Sequence, residues 1–371
     1  MAPQPDWGDV ASTLRGATRV ALACHEKPDG DAVGSLLALS LVLRRLGAET
    51  YPTWSAASVE AVAPYAWLPG KDHLVQVSDM PSDVPVFVAV DCGAAKRLGE
   101  LEEIARRAPC LINIDHHPGN DEFAHLNVVE PSASSTAELV ASLAEALGVE
   151  LDQDIATCLY VGVVTDTGRF QYTNSSPHTL RLAATLLEHG VPAPTIAEEL
   201  FESAPFGFLK LVGRLLERAT LFEEERFVYS WLQREDLDET GVTPQETDGL
   251  IDAIRSTRAA DVAALFKQQL DGSYRVSLRS KGPSVGVLAR ARGGGGHELA
   301  AGFTAPDVEG TVEEIREHLA QLIASRDPRA DRSLVSRDPR ADRSDDSHAP
   351  RADRSDPGAA PADRSEPSTG P

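Results

Sequence analysis

Aromatic residues are scarce in this 371-residue sequence: ten Phe, six Tyr and four Trp make up 5% of the chain, against 42% hydrophobic residues in all. Its cores must therefore be aliphatic, and the length leaves room for two domains and further segments. Cysteine is as sparse. Cys24, Cys92, Cys110 and Cys158 stand singly in apolar stretches without a C-x-x-C pair, which excludes a structural zinc knuckle or a disulfide framework and leaves buried, reduced thiols. No apolar stretch approaches the roughly 20 residues of a membrane span, and Met1-Ala-Pro-Gln-Pro5 lacks the basic-then-apolar start of a secretion signal, so a cytoplasmic protein without membrane partners is expected. Positive charge is the third shortage. Lys and Arg number 35 against 57 Asp and Glu, a net charge of −22. From Arg326 onward nine Arg meet ten acidic residues, so the body of the chain carries nearly all of the excess, 26 basic against 47 acidic. Binding to long nucleic acid rests on many contacts between basic side chains and phosphates. The composition therefore excludes long duplex partners and favours short substrates.

What the chain does contain is an alternation of strand and helix patterns. Arg19 to Cys24 predicts a strand, and a helix follows from about Ala32 to Leu46, with leucines at 36, 37, 39, 41, 43 and 46 and Gly47 at its end. Further strands are predicted at Glu49 to Trp54, Val86 to Val90, Leu111 to Ile114 and Leu126 to Val129, which makes an α/β fold with a mostly parallel sheet flanked by helices. Ser135-Thr-Ala-Glu138 fits a capping box that opens a helix to about Leu147. Helices from about Asp154 to Asp166 and from His178 to Glu188 come next. Gly190-Val-Pro-Ala-Pro194 breaks the pattern, so a first domain is placed at 1–190 and a helical linker at 191–207. A smaller α/β domain at 208–325 is predicted to hold a helix at Phe208 to Ala219, strands at Arg226 to Leu232 and Tyr274 to Leu278, and helices near Ser284 to Ala291 and Thr311 to Ala324. Beyond it, at 326–371, Arg-Ala-Asp-Arg-Ser recurs without any aromatic residue; such a composition cannot build a core and predicts a disordered tail.

Acidic and imidazole side chains collect in four places, each read as a strand-to-loop junction: His25, Asp29 and Asp31; Asp91; Asp115-His116-His117; and Asp166. Val20-Ala-Leu-Ala-Cys24, Val86-Phe-Val-Ala-Val90 and Leu111-Ile-Asn-Ile114 run directly into the first three. Open parallel sheets bind ligands beyond the carboxyl ends of such strands. Two carboxylates about 4 Å apart repel by roughly 4 kcal/mol at an effective dielectric near 20, and Lys27 is the one cation within the motifs. Divalent cations must supply the balance, so the four segments are read as one dinuclear metal site. Aspartate and imidazole donors without thiolate suit manganese first, or magnesium, with cobalt or iron also compatible. A zinc-protease helix is excluded because Pro28 falls between His25 and Asp29, and a calcium loop begun at Asp29 would place its bidentate position on Ser40.

Gly293-Gly-Gly-Gly296-His297 matches neither a dinucleotide fingerprint nor a P-loop. It reads either as a flexible loop or as a cradle of backbone N–H groups beside an imidazole, leading into a helix-compatible Ala300-Ala301. Arg275 and Arg279, four apart on a predicted strand, share a face; Arg275 reads equally as a solvated strand residue. Arg169, just past Asp166, either meets a phosphate or makes a surface ion pair.

The motifs, taken in order, resemble the DHH phosphoesterase superfamily, named for the triplet that stands here as Asp115-His116-His117. Val88-Ala-Val-Asp91-Cys-Gly93 and Gly162-Val-Val-Thr-Asp166-Thr-Gly168-Arg169-Phe170 match two more of its motifs. Gly293 to His297, continuing to Ala301-Gly302, resembles the glycine-rich signature of the DHH-associated domain. The likeness covers about residues 15 to 325. It implies that His25, Asp29 and Asp91 hold one metal and Asp31, Asp91, His116 and Asp166 the other, with Asp91 bridging and a hydroxide between the ions as nucleophile. His117 would face the scissile phosphate or else support a neighbouring ligand, and Asp115 would orient. Arg279 and Ser280 would bind the terminal phosphate together with Gly295, Gly296 and His297, and Ser134, Ser135 and Thr136 would border the site, helix capping alone being the other reading of Ser135. Within the superfamily the two-domain layout resembles the NrnA-like group. That likeness implies a manganese-dependent nanoRNase and phosphatase of 3′-phosphoadenosine 5′-phosphate, extending to linear or cyclic di-AMP, and a homodimer. Inorganic pyrophosphatase is the second enzymatic reading, and a nucleotide-sensing or interaction module the reading from another class.

Overall fold

The computed structural model of the protein describes residues 5–55, 65–247 and 249–325. The predicted repeat tail at 326–371 lies outside the described residues. Among the described residues, those up to Leu319 form one compact unit and those from Ala320 on belong to a second. Both sheets belong to the first unit; of the second, the described part is the end of one helix, residues 320–325.

The N-terminal part runs α1 (Gly8–Gly16), β1 (Arg19–Ala23), α2 (Gly30–Arg45), β2 (Glu49–Thr53), β3 (Val86–Val90), α3 (Glu102–Arg107), β4 (Cys110–Asp115), β5 (Leu126–Val129), α4 (Thr136–Leu147), α5 (Gln153–Asp166) and α6 (Pro177–Glu188). Its five strands form one sheet in the order β2-β1-β3-β4-β5, parallel throughout. The unbroken apolar runs have their reason in this arrangement, since alternate residues enter two different cores. Val20, Leu22, Val86, Val88 and Val90 face the helices α2, α4 and α5, while Ala21, Ala23, Phe87 and Ala89 face Leu98, Leu101 and Ala105. The chain steps from β1 outward to β2 and then returns to the other side of β1 with β3, so the topological switch lies between β1 and β3. Ligands of open parallel sheets bind outside the strand carboxyl ends at such a point.

Glycine lets α2 and α5 approach. A Cβ on Gly34 would sit 2.5 Å from the Cys158 carbonyl oxygen, and one on Gly162 would sit 2.6 Å from Ala137 Cβ and 2.7 Å from Asp31 Oδ1. At both positions any larger residue forces the helices apart.

The C-terminal part continues with α7 (Ala193–Ala197), a π-helical turn at Glu198–Glu202, α8 (Phe206–Glu217), β6 (Thr220–Phe222), β7 (Phe227–Leu232), α9 (Arg234–Thr240), α10 (Leu250–Arg255), β8 (Val262–Gln268), β9 (Tyr274–Ser280), α11 (Gly286–Ala291), β10 (Gly295–Gly296), β11 (Ala300–Ala305) and α12 (Glu309–Ser325). Its sheet has the order β10-β11-β9-β8-β7-β6, with β7 and β8 parallel and the other pairs antiparallel. Three expectations change. Ala300-Ala301 belongs to a strand, not a helix, because β11 pairs with β9 on one side and with the glycines of β10 on the other. Asp166 stands at the end of the helix predicted from about Asp154, and not at a strand-to-loop junction. The capping box at Ser135 is half formed: Ser135 Oγ accepts the Glu138 N–H at 3.2 Å, but the Glu138 carboxylate turns to the Ser134 N–H and hydroxyl and to the Thr179 hydroxyl.

Candidate metal centre

The carboxyl ends of β1, β3 and β4 deliver His25, Asp91 and the pair His116 and His117 to one place. Helix α2 adds Asp29 as its N-cap, with Oδ1 accepting the Ala32 N–H at 3.0 Å, and Asp31 in its first turn. The end of α5 adds Asp166. Asp91 stands in the left-handed backbone region at φ 54°, which a non-glycine residue adopts only when its surroundings over-determine it. Its N–H donates to the Ile114 carbonyl at 2.9 Å, and this fixes the turn at the end of β3.

The two oxygens of Asp91 face different partners. Oδ2 lies 3.5 Å from His25 Nε2, while Oδ1 lies 3.7 Å from both His116 Nε2 and His117 Nδ1. His25, Asp29 and Asp91 form one group whose donor atoms all lie within 4.8 Å of one another, and Asp31, Asp91 and His116 form a second. Asp166 Oδ2 approaches the second group, 3.7 Å from His116 Nε2. His25, Asp31, Asp91 and His116 are all buried.

The supports of these donors are equally specific. His25 Nδ1 is 2.8 Å from the Glu26 carbonyl and His116 Nδ1 3.3 Å from that of Ala133, which leaves each Nε2 turned toward the carboxylates. Both oxygens of Asp31 are held by the first turn of α4: the Thr136 N–H donates to Oδ2 at 2.7 Å and the Ala137 N–H to Oδ1 at 2.9 Å, with the Ser35 hydroxyl adding 3.0 Å. The orphan amides of a helix start are thus spent on an anion. His117 Nδ1 is 2.7 Å from Asp115 Oδ1, whose other oxygen accepts Asn120 Nδ2 at 2.6 Å. Asn174 Nδ2 ties Asp166 Oδ2, at 3.3 Å, to the Ser134 carbonyl, at 2.8 Å. Asn120 and Asn174 were not assigned from sequence; their partners are brought close by the fold, and a lone Asn carries no signature of that role, whereas Thr136, expected at the border of the site, stands against two of its carboxylates.

The electrostatics follow from crowding. Burial would push the Asp91 carboxyl up, but the imidazoles of His25, His117 and His116 hold it well below the usual carboxylate range. Burial and the charge of Asp91 push Asp31 up, and burial with Asp29 and Asp91 does the same to Asp166. Burial opposes charge on His117, yet its bond to Asp115 and the field of Asp91 raise it to about 9, so it stands ready as a charged donor. A cluster in which burial and like charge raise two carboxyls for want of positive charge has the donor chemistry for divalent cations. Cys24 and Cys92 are buried nearby but belong to neither donor group.

The candidate substrate residues are distributed less tightly. His297 lies on the turn 297–300 between β10 and β11 and stacks on His117, ring centroids 4.8 Å apart, with His116 at 5.3 Å. Burial and the His117 and His116 imidazoles push it down to about 4. Gly295 and Gly296 are exposed beside it. A Cβ on Gly296, at φ 123°, would meet the Ala300 carbonyl oxygen at 2.5 Å, so the hairpin needs glycine there. Arg279 is half-buried opposite Ala300, with Nη1 donating to the Leu278 carbonyl, whereas Arg275 is exposed. Ser280 is buried, its Oγ accepting the Gly282 N–H at 3.0 Å, and Ser135 is buried as the cap of α4. Arg169 is exposed at φ 62°, its guanidinium 4.8 Å from the Phe201 ring centroid.

Comparison with known proteins places this geometry. Residues 19–163 match the DHH family, N-terminal domain, and residues 224–325 match the DHHA1 domain. The chain is 32% identical over 335 residues to the bifunctional oligoribonuclease and PAP phosphatase NrnA of Thermus thermophilus, covering 86% of this chain and 98% of that one. It is 30% identical over 300 residues to the protein of the same name in Bacillus subtilis, covering 79% and 91%. The crystal structure of an exopolyphosphatase-related protein from Bacteroides fragilis shares the fold with a TM-score of 0.77 at 23% identity, over 84% of this chain and 95% of that one. Among the described residues no helix is long and apolar enough to cross a membrane. With both domains in sequence order and a relative matched over nearly its full length, the chain belongs to the DHH family of phosphoester hydrolases.

Proposed function

We propose that this protein is a manganese-dependent phosphoesterase that hydrolyses oligoribonucleotides of two to a few residues and 3′-phosphoadenosine 5′-phosphate. The observation that carries the reading is Asp91, a buried carboxylate whose two oxygens face two adjacent donor groups and which is therefore suited to bridge a pair of ions. His25, Asp29 and Asp91 would hold one ion and Asp31, Asp91, His116 and Asp166 the other. Two Mn²⁺, or Mg²⁺ or Co²⁺ in their place, would supply Lewis acidity toward a phosphoryl oxygen and lower the pKa of a water. The protein's own part is to keep solvent from His25, Asp31, Asp91 and His116, to hold His117 charged by Asp115 as a donor to phosphate, and to orient the nucleotide. Arg279, Ser280, Gly295, Gly296 and His297 would take its far phosphate, with Arg169, Arg275 and Ser135 at the margin.

In this reading residues 1–190 carry the metals, 191–207 link, and 208–325 select the substrate. Small nucleotides are favoured by the acidity of the body and by the relatives' activities, in the cytoplasm and in a homodimer. The test is one panel: phosphoadenosine phosphate, pApA, cyclic di-AMP and pyrophosphate, each with Mn²⁺ or Mg²⁺, beside Asp91→Ala. Turnover of the first two by the wild type, with an Asp91→Ala loss on the order of 4 kcal/mol of barrier or about a thousandfold, supports the reading. Turnover of pyrophosphate alone overturns it in favour of a pyrophosphatase.

A further inference from the structure

Thr136 touches two buried carboxylates of the centre, Asp31 and Asp91, with two different atoms. Its backbone N–H donates to Asp31 Oδ2 at 2.7 Å, a bond any non-proline residue could make. Its hydroxyl donates to Asp91 Oδ1 at 2.9 Å, and only serine could replace it in kind. The side chain is fully buried, at 0% exposure, on the first turn of α4, where Ser135 caps the helix and Asp31 anchors it, so the hydroxyl has little freedom to turn elsewhere. Asp91 needs such a guide. Its backbone is held in an unfavourable left-handed conformation, and among the described residues the Thr136 hydroxyl is the shortest contact to its carboxylate. The bond reaches Oδ1, the oxygen facing His116, and not Oδ2, the oxygen facing His25.

We propose that Thr136 is a positioning residue whose hydroxyl fixes the rotation of the Asp91 carboxylate and thereby sets how strongly the Asp31, Asp91 and His116 group holds its cation. The inference rests on the reading of Asp91 as the bridge. Loss of an outer hydrogen bond to a metal ligand weakens affinity by about 10- to 100-fold. Here the loss falls on one of two binding steps, because the bond reaches one of the two oxygens. A role confined to packing would instead lower thermal stability and leave both steps alone.

The experiment titrates Mn²⁺ into the full-length metal-free protein by calorimetry and records the manganese electron paramagnetic resonance spectrum, which reports whether two ions lie close enough to couple. Thr136→Val keeps the volume and removes the donor; Thr136→Ser keeps the donor. Thr136→Val should weaken one of the two steps by about 10- to 100-fold and lose the coupled signal at limiting Mn²⁺, while Thr136→Ser binds as the wild type does. Equal behaviour of the two variants, or two unchanged steps in Thr136→Val, would overturn the proposal. Should Thr136→Val fail to fold, Thr136→Ala serves: one weakened step supports the proposal and wild-type binding refutes it. A wild type that binds no pair of ions would sink the bridging reading itself, a different result from any of these.

Discussion

In the parallel sheet, His25, Asp91 and His116 follow directly from the ends of neighbouring strands, and each is buried and supported by backbone carbonyls, amides or hydroxyls. In the mixed sheet, His297 rides on a hairpin turn between two exposed glycines and strand β11, and the arginines of β9 end in solvent or on their own backbone. The first region is a frame in which the buried donors are each held by further contacts. The second brings groups to that frame from a more open surface. Substitutions in the frame should therefore change metal binding and fold together, and substitutions in the second region should change substrate handling alone.

The sharpest probe of that division is His297→Ala. The ring stacks on His117 at 4.8 Å and, among the described residues, is not hydrogen-bonded to a carboxylate of the centre, so its loss should lower kcat/KM about a hundredfold, as removal of one aligned phosphate donor does, with Mn²⁺ affinity unchanged. Calorimetric Mn²⁺ titration beside steady-state kinetics checks both halves. A fall in metal affinity equal to the fall in turnover would make His297 part of the frame and break the comparison.

The same division explains what the sequence made legible. Strands buried on both faces must be apolar throughout, so Val86 to Val90 could be read to the residue, and β1, β2 and β4 to within one residue at either end. Donor types were legible because no packing need explains Asp or His after such a run. In the mixed sheet the signals fail for physical reasons. Val262-Ala-Ala-Leu-Phe-Lys-Gln268 is made largely of residues that suit a helix as well as a strand, and it was not read as β8. Ala300 to Ala305 has weak strand preference and pairs only because Gly294 and Gly296 let the neighbouring backbone approach; a Cβ on Gly294 would lie 2.1 Å from the Gly302 carbonyl oxygen. Asn120 and Asn174 escaped notice because nothing local distinguishes them from any turn residue, and Thr136 was legible only as bordering the site because its place in a capping segment does not say which carboxylate its hydroxyl reaches.

Within the frame, Gly162→Ala should show how tightly metal ligand and core are joined. The added methyl would meet Ala137 Cβ at 2.6 Å and Asp31 Oδ1 at 2.7 Å, so α5 must shift or Asp31 must turn. Overpacking of this kind costs about 1–3 kcal/mol, and thermal melts of the metal-free protein should fall by several degrees while Mn²⁺ affinity weakens in the same variant. A variant that melts lower but titrates as the wild type would separate core from site, against the picture of one frame.

Protons give a gentler test. Burial and like charge raise the Asp31 and Asp166 carboxyls in the metal-free fold, so their contribution to stability is full below the unfolded value, about 4, and is lost as pH rises through the raised values. Asp91, held low by its imidazoles despite burial, runs the other way: its contribution is present above about pH 4 and is lost as pH falls through its depressed value. Manganese needs the carboxylates unprotonated. Its apparent affinity should therefore climb by about tenfold per pH unit for each proton displaced, between the ordinary carboxylate value and the raised ones. Calorimetry in buffers of different ionisation heat counts those protons, and an affinity flat across that window would mean the cluster is less crowded than its distances indicate.

The smallest effect separates two arginines of one strand. Arg275 is exposed opposite Lys267 and Thr304, while Arg279 is half-buried opposite Ala263 and Ala300, next to the turn that carries His297. If the mixed sheet meets substrate only around that turn, Arg279→Ala should raise KM for a short oligoribonucleotide about tenfold, the worth of one charge-assisted contact, and Arg275→Ala should change it by less than about twofold. Equal losses at both would mean that the nucleotide lies along the whole face of β9. The second region would then be a platform as fixed as the first, and substrate length, rather than the far phosphate alone, would be read there.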